Sequence, residues 1–232
     1  METNPSHYTA ENQTALQSTF VPSVFAWMTV ALAITAFTAL FTVATPAIMN
    51  FIFSSKLTFF GLIFAELGLV MGITAALNRI SSSVAVMLFL LYAVLNGLTL
   101  SSIFLAYELG TIGFTFLVTA GTFAAMSIYG YFTKEDLTKL GSLLGMGLIG
   151  LVFAIVVNLF LKSDMVGWVI NLVGVFIFVG LVAWDTQKLK LMAEAIDSRE
   201  SARKMSIMGA LSLYLDFINL FLFLLRLFSR RN

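Results

Sequence analysis

Cysteine is absent from the 232 residues, and histidine occurs once, as His7. Without cysteine there are no disulfides, thiol nucleophiles, iron–sulfur clusters or thiolate-bound zinc sites. A lone histidine in the polar leading stretch removes Ser-His-Asp catalysis, histidine metal clusters and a buried imidazole switch. Charge is scarce as well: Asp, Glu, Lys and Arg make up 11% of the chain, against about 25% in a soluble domain. The formal net charge is +1, and no Lys/Arg run provides the clustered cations that nucleic-acid phosphates require. Ionisable chemistry therefore rests on carboxylates, Lys, Arg or Tyr.

What fills the chain is apolar, with 59% hydrophobic residues. Seven apolar runs emerge: Val24 to Thr45, Leu57 to Asn78, Val84 to Tyr107, Ile112 to Tyr131, Leu140 to Leu161, Val166 to Trp184 and Met205 to Phe228. Each approaches the roughly 20 residues that cross a bilayer as a helix. They are separated by Pro46, Lys56, Arg79, Glu108, Lys134 to Asp136 and Lys162 to Asp164, which are costly in hydrocarbon or favour helix ends. The alternating segments of about 10 residues that a β-barrel needs are missing. The expectation is an all-α polytopic membrane protein in three parts: a polar tail at 1–23, a seven-helix membrane domain at 24–228 and a short basic tail at 229–232. Residues 1–20 contain no Lys or Arg, so they lack the basic region of a cleaved signal peptide, and the first run is expected to stay as a span. An N-terminus inside puts eight basic residues in the cytoplasm and five outside, a modest bias to N-in, C-out. A re-entrant last run would return Arg226, Arg230 and Arg231 to the cytoplasm.

Several local patterns have bland explanations. Gly145, Gly147 and Gly150 fit GxGxxG, yet they lie in an apolar span with no preceding strand, so a dinucleotide site is not expected. Gly141/Gly145 and Gly68/Gly72 have GxxxG spacing and are expected to let neighbouring helices approach closely. Asn12-Gln-Thr14 is a glycosylation sequon in a tail expected to be cytoplasmic. Leu189, Met192 and Ile196 recur at helical spacing among Lys188, Lys190, Glu194 and Asp197, which reads as a cytoplasmic helical extension.

The informative residues are the ionisable groups in or beside spans: Glu66, Asp185, Asp216, and nearer the ends Glu108 and Arg226. A charge at the bilayer centre costs about 2.5–3.5 kcal/mol on insertion scales, so its default reading is a water-filled path or a paired site. Arg226 can snorkel to an interface, and Glu108 is expected at one. Asp216 is flanked by apolar residues on both sides, with Asn219 three residues on along the same face. Asp185 ends the sixth run on the same side of the membrane, so an Asp185/Asp216 pair is geometrically sound. Two adjacent carboxylates in a low dielectric tend to share a proton. Their oxygens also suit Ca²⁺, which would compete with that proton.

At these residues the chain resembles the Bax inhibitor-1 (transmembrane BAX inhibitor motif) family, over about Val24 to Phe228. The most specific blocks are Leu213-Tyr-Leu-Asp-Phe-Ile-Asn-Leu-Phe-Leu-Phe-Leu-Leu-Arg226 and Trp184-Asp-Thr-Gln187. Gly97-Leu-Thr-Leu-Ser-Ser-Ile-Phe104 and Thr133-Lys-Glu-Asp-Leu137 support them. The resemblance implies seven helices with six surrounding the C-terminal one, and a pH-sensitive calcium leak whose paired aspartates match Asp185 and Asp216. It implies a basic latch from the second span, for which Arg79 is the nearest residue, and an acidic second-span position matched by Glu66. Trp184 departs from the Tyr that commonly precedes the first aspartate and removes a hydroxyl there.

The reading that follows is a non-enzymatic, proton-gated Ca²⁺ leak without a resident cofactor. Its site is Asp185 and Asp216, with Arg79, Glu66 and Asn219 as latch or ion path and the two aspartates as the Ca²⁺ ligands. Its partners are the bilayer, calcium ions and protons, in a bacterial inner membrane. The alternative is a membrane interaction protein that modulates a protease or a stress or cell-death pathway through a protein partner. An intramembrane aspartyl protease is disfavoured, because Leu213-Tyr-Leu precedes Asp216 where one class of such enzymes has Gly-x-Gly. A retinal-type receptor lacks its central lysine in the last span.

Overall fold

The structure is a computed structural model that describes residues 5–77, 79–194, 196 and 198–229, with side chains from Leu16 onward. The side chains of His7 and the Asn12 sequon, together with Asp197, Arg230 and Arg231, lie outside the described residues. Among the described residues the regular structure is helical throughout: α1 (Pro5–Ala44), α2 (Pro46–Phe53), α3 (Lys56–Ala76), α4 (Ser82–Leu100), α5 (Ile103–Ala106), α6 (Leu109–Phe132), α7 (Thr138–Leu161), α8 (Asp164–Glu194) and α9 (Arg199–Ser229). Helices are the form in which an apolar segment satisfies its own backbone in hydrocarbon.

Seven of these segments are long and apolar enough to cross a membrane, and they coincide with the seven runs. The protein is an all-helical, multi-pass membrane protein. Two runs lengthen: the polar stretch ahead of the first is helical from Pro5, and the sixth continues as α8 to Glu194. Polarity sets where hydrocarbon ends, whereas a hydrogen-bonded helix continues until something breaks it. The charged extension after Thr186 is accordingly helical up to Glu194. The last run belongs to one continuous helix, α9, rather than a re-entrant turn.

Burial singles out α9. Within its most apolar window 72% of residues are buried, against at most 39% in any other span. A C-terminal helix enclosed by the others requires this. Elsewhere the large apolar side chains face outward, as Leu57 and Phe160 do at 83% exposure, which suits lipid contact.

The chain divides into two compact units, 1–106 with 192–211 and 107–191 with 212–232. In the first, α1 packs on α4: a Cβ at Gly97 would lie 2.6 Å from the Thr35 carbonyl oxygen, and the Thr35 hydroxyl donates to Ala93 O at 2.9 Å. At the start of α4, Ser82 donates its N–H and its hydroxyl to the two oxygens of Glu200, each at 2.8 Å. The first turn of α9 is thereby tied to the first turn of α4, whose N–H groups have no partner within the helix.

In the second unit α8 is the hub. A Cβ at Gly130 on α6 would sit 2.1 Å from the Ala183 carbonyl oxygen, and one at Gly141 on α7 would sit 2.2 Å from the Trp184 ring. On α9, Phe223 covers Gly174 and stacks on Phe178 at 5.7 Å. Leu151, Ile170, Ile177, Leu181, Leu220 and Leu224 complete this core. The expected GxxxG packing is corrected here. Gly141 does admit a neighbour, but Gly68, Gly72 and Gly145 have nothing within 4 Å of a Cβ. Spacing puts small residues on one face, and whether a helix comes to that face is decided by the rest of the fold. Gly145, Gly147 and Gly150 lie inside α7, without the strand a dinucleotide site requires.

The α6–α7 connection is held by one side chain. Gln187 accepts from Leu137 N at 2.9 Å and donates to Glu135 O at 2.7 Å, so one amide brackets the loop. Asp136 accepts the Thr138 backbone N–H at 2.9 Å. Hydrogen bonds from the Thr138 hydroxyl and N–H hold its exposed carboxyl below the usual range.

Two outcomes follow. Gly130→Ala drives a methyl into backbone and lowers thermal stability by about 1–3 kcal/mol, whereas Gly145→Ala is neutral; unfolding of the purified protein in detergent reads the difference. The Asp136 cap is complete above the ordinary carboxylate pKa and is lost as pH falls through its lowered folded value. Protection of the amides at the start of α7, relative to their intrinsic exchange rates, should therefore fall in acid, and Asp136→Asn should flatten that dependence.

Candidate functional site

Asp185 lies on α8 and Asp216 on α9, at 8% and 6% exposure. The contacts between these helices run in opposite directions along the two helices, Phe178 with Phe223 and Asp185 with Ser212. Two sequence-adjacent spans are thus packed antiparallel with their aspartates at one level. The Ser212 hydroxyl donates to Asp185 Oδ2. The Asp216 carboxyl comes within hydrogen-bonding reach of Asp185, yet no N–H or O–H of the described residues donates to its Oδ2.

The asymmetry matters chemically. Asp185 has a fixed donor on one oxygen. Asp216 carries a buried oxygen with no donor, next to a second carboxyl, so what can bridge the pair is a proton or a cation. No counter-charge intervenes: neither aspartate forms an ion pair among the described residues, where the one salt bridge is Lys204 to Glu200 at 3.8 Å. The nearest lysine along α8, Lys188, places its ammonium 5.1 Å from the Trp184 ring centroid. Like charges about 4 Å apart repel by about 4 kcal/mol even at an effective dielectric near 20.

Glu66 is a contrast. It is 9% exposed on α3 and both of its oxygens are occupied, Oε2 by Asn96 Nδ2 at 3.0 Å and Oε1 by the Thr99 hydroxyl. It locks α3 to α4 and is a satisfied carboxyl rather than an unfilled one. Arg79 is exposed in the turn after α3, its N–H donating to Ala76 O at 2.7 Å. It forms no ion pair among the described residues and belongs to the first compact unit, whereas the aspartates belong to the second. Asn219 shares α9 with Asp216, but its Nδ2 donates back to Leu215 O at 2.8 Å. Glu108 is the exposed residue preceding α6, and Arg226 is exposed in the last turn of α9.

Two hydroxyls escaped the sequence reading. Ser212 lies four residues before Asp216, on the same face, and that spacing could have found it. Ser127 on α6 has a buried hydroxyl oxygen with no partner. It shares a face with Phe123, which packs on Phe217 at 5.5 Å, and with Gly130. Serines in apolar spans are common, so nothing local distinguishes it.

Comparison with known proteins places these residues in context. Residues 17–232 match the family described as inhibitor of apoptosis-promoting Bax1. The chain is 52% identical over 216 residues to the inner membrane protein YbhL of Escherichia coli strain K12, spanning 92% of each chain. It is 47% identical over 226 residues to an uncharacterized protein of Borreliella burgdorferi, spanning 97% of each. It is 42% identical over 215 residues to the uncharacterized protein RP147 of Rickettsia prowazekii, spanning 92% of this chain and 90% of that one.

The Glu66 contacts generate a clear expectation. Glu66→Leu removes an acceptor from both Asn96 and Thr99 and destabilises the α3–α4 pair by about 1–3 kcal/mol. Glu66→Gln preserves most of it because the Thr99 hydroxyl can reverse to accept. Thermal unfolding of the two variants in one detergent separates them.

Proposed function

The chain belongs to the Bax inhibitor-1 family, and on that premise we propose that it is a passive calcium leak gated by protonation of Asp185 and Asp216. The observation that carries this reading is Asp216 Oδ2, a buried oxygen with no donor among the described residues, on a carboxyl that interacts with that of Asp185. When the pair holds a proton, α8 and α9 stay joined at this level. When the proton leaves, two adjacent charges must separate or recruit a cation, and Ca²⁺ is a hard ion that favours carboxylate oxygen.

Calcium is cargo here rather than a resident group. Ca²⁺ takes about 6–8 oxygen ligands, and among the described residues no third Asp, Glu, His or Cys joins the pair to form a cage. An ion held by two carboxylates and water can leave again. The proposal includes no covalent chemistry and no cofactor. It places the protein in a bacterial inner membrane, as the name of the relative YbhL indicates for that protein. A second reading, a membrane interaction protein, draws support from the uncovered small-residue face at Gly68 and Gly72.

The test is Ca²⁺ flux into proteoliposomes across about pH 5 to 8, with Na⁺ and K⁺ as comparison ions. Wild type should pass Ca²⁺ faster as pH rises. Asp185→Asn and Asp216→Asn should each flatten that dependence, and Ser212→Ala should displace it. Flux unchanged by both asparagine variants would refute the gate. Folded protein that passes no Ca²⁺ would move the assignment to an interaction protein, and crosslinking to one stoichiometric partner would then identify its target class.

A further inference from the structure

Away from the aspartates, the second unit contains a cavity of about 200 Å³ lined by Ile155, Asn158, Leu159, Gly167, Ile170, Asn171 and Arg226. Three helices contribute its polar groups: α7 gives Asn158, α8 gives Asn171 and α9 gives Arg226. Arg226 lies ten residues beyond Asp216, about 15 Å along the helix at 1.5 Å per residue, and occupies the last turn. The cavity and the aspartate pair are therefore separate places on α9.

The donors outnumber the acceptors. Asn158 Oδ1 is already occupied by the Ser163 N–H at 3.2 Å, which leaves the amide nitrogen, and that nitrogen lies 3.3 Å from where a Cβ of Gly167 would be. Asn171 is only 8% exposed, and its side chain has no hydrogen-bond partner among the described residues, although it lines the cavity. The cavity is thus where an occupant can pair with the amide of this largely buried residue. Arg226 forms no ion pair among the described residues, and its guanidinium stands 5.9 Å from the Phe223 ring centroid. That contact orients a planar fork of five donors and consumes none of them. Lys162 and Asp164 in the adjoining turn carry one charge of each sign, and neither lines the cavity.

We propose that Asn158, Asn171 and Arg226 form a binding site for a phosphate oxyanion at the end of the bundle where α9 terminates. The guanidinium takes two phosphate oxygens in its fork, Asn171 donates from the buried wall, and Asn158 donates from the last turn of α7. Ile155, Leu159 and Ile170 supply an apolar wall against which a glycerol or acyl stem packs. The oxyanion has two sources of the same chemistry, the headgroup of an anionic phospholipid and free inorganic phosphate.

The test uses the full chain purified in detergent, titrated with phosphatidylglycerol and, separately, with inorganic phosphate against chloride at constant ionic strength. Retained ligand is read by native mass spectrometry and the thermal midpoint by unfolding. Wild type should retain phosphatidylglycerol and melt higher with it. Arg226→Gln and Asn171→Leu should each weaken retention at least about tenfold, the loss of one charge-assisted or buried hydrogen bond. Arg226→Lys, with the charge but no fork, should fall between. If inorganic phosphate alone raises the midpoint and competes the lipid away, the free ion is the ligand. If wild type binds neither, or if Asn171→Leu and Arg226→Gln retain lipid as wild type does, the site assignment is overturned. Should Arg226→Gln fail to fold, Asn171→Leu and the wild-type phosphate-against-chloride comparison decide alone.

Discussion

Everything distinctive about this protein depends on the contact between α8 and α9 at the level of Asp185 and Asp216. In hydrocarbon a polar group is either satisfied from within the protein or costs several kcal/mol. Glu66 obeys that rule fully, with a donor on each oxygen. Asp185 obeys it on one oxygen through Ser212. Asp216 does not obey it at Oδ2. Replacing both aspartates with leucine would pack more comfortably, so stability does not account for the pair.

The surrounding packing keeps that contact from relaxing. Two close approaches on α8 come just before Asp185, Gly130 against the Ala183 backbone and Gly141 against the Trp184 ring. Neither tolerates a side chain on the glycine, so α8 is located by backbone against α6 and by ring against α7. Gln187, two residues past Asp185, fixes the α6–α7 loop with an amide that both donates and accepts. Over the residues 183 to 187, α8 is thus held from several directions while one face remains for α9. Rigid walls around a titratable pair make its charge state matter, since close-packed interiors transmit displacement rather than absorb it.

The span count and the two aspartates were legible in the sequence because each rests on one large term. Length and hydropathy define spans, and a carboxyl in an apolar run is too costly to be incidental. Helix ends were less legible: α1 and α8 run past their apolar segments because nothing in Ser6 to Phe20 or Gln187 to Glu194 breaks a helix. Partners were hardly legible at all. Trp184-Asp-Thr-Gln187 and Thr133-Lys-Glu-Asp-Leu137 stood out separately, but that Gln187 brackets Glu135 and Leu137 depends on how α8 passes the loop. GxxxG spacing misled at Gly68 and Gly72 for the same reason, since a face can be prepared for a neighbour that does not arrive within one chain.

The helix α9 unites these observations. It is the most buried span, and it nevertheless carries a polar residue near each end and an ionisable one within: Glu200 in its first turn, Asp216 inside, Arg226 in its last. Glu200 ties it to Ser82 through two hydrogen bonds, and Arg226 opens onto a cavity furnished with donors. A buried helix with no such fixtures could slide by a turn at little cost, because Leu, Phe and Ile replace one another readily along an apolar face. With Glu200 held on Ser82 and Phe223 seated over Gly174, its register is set, and setting the register is what keeps Asp216 opposite Asp185 rather than one turn away. The aspartate contact in the middle of α9 thus depends on how the helix is held on either side of it.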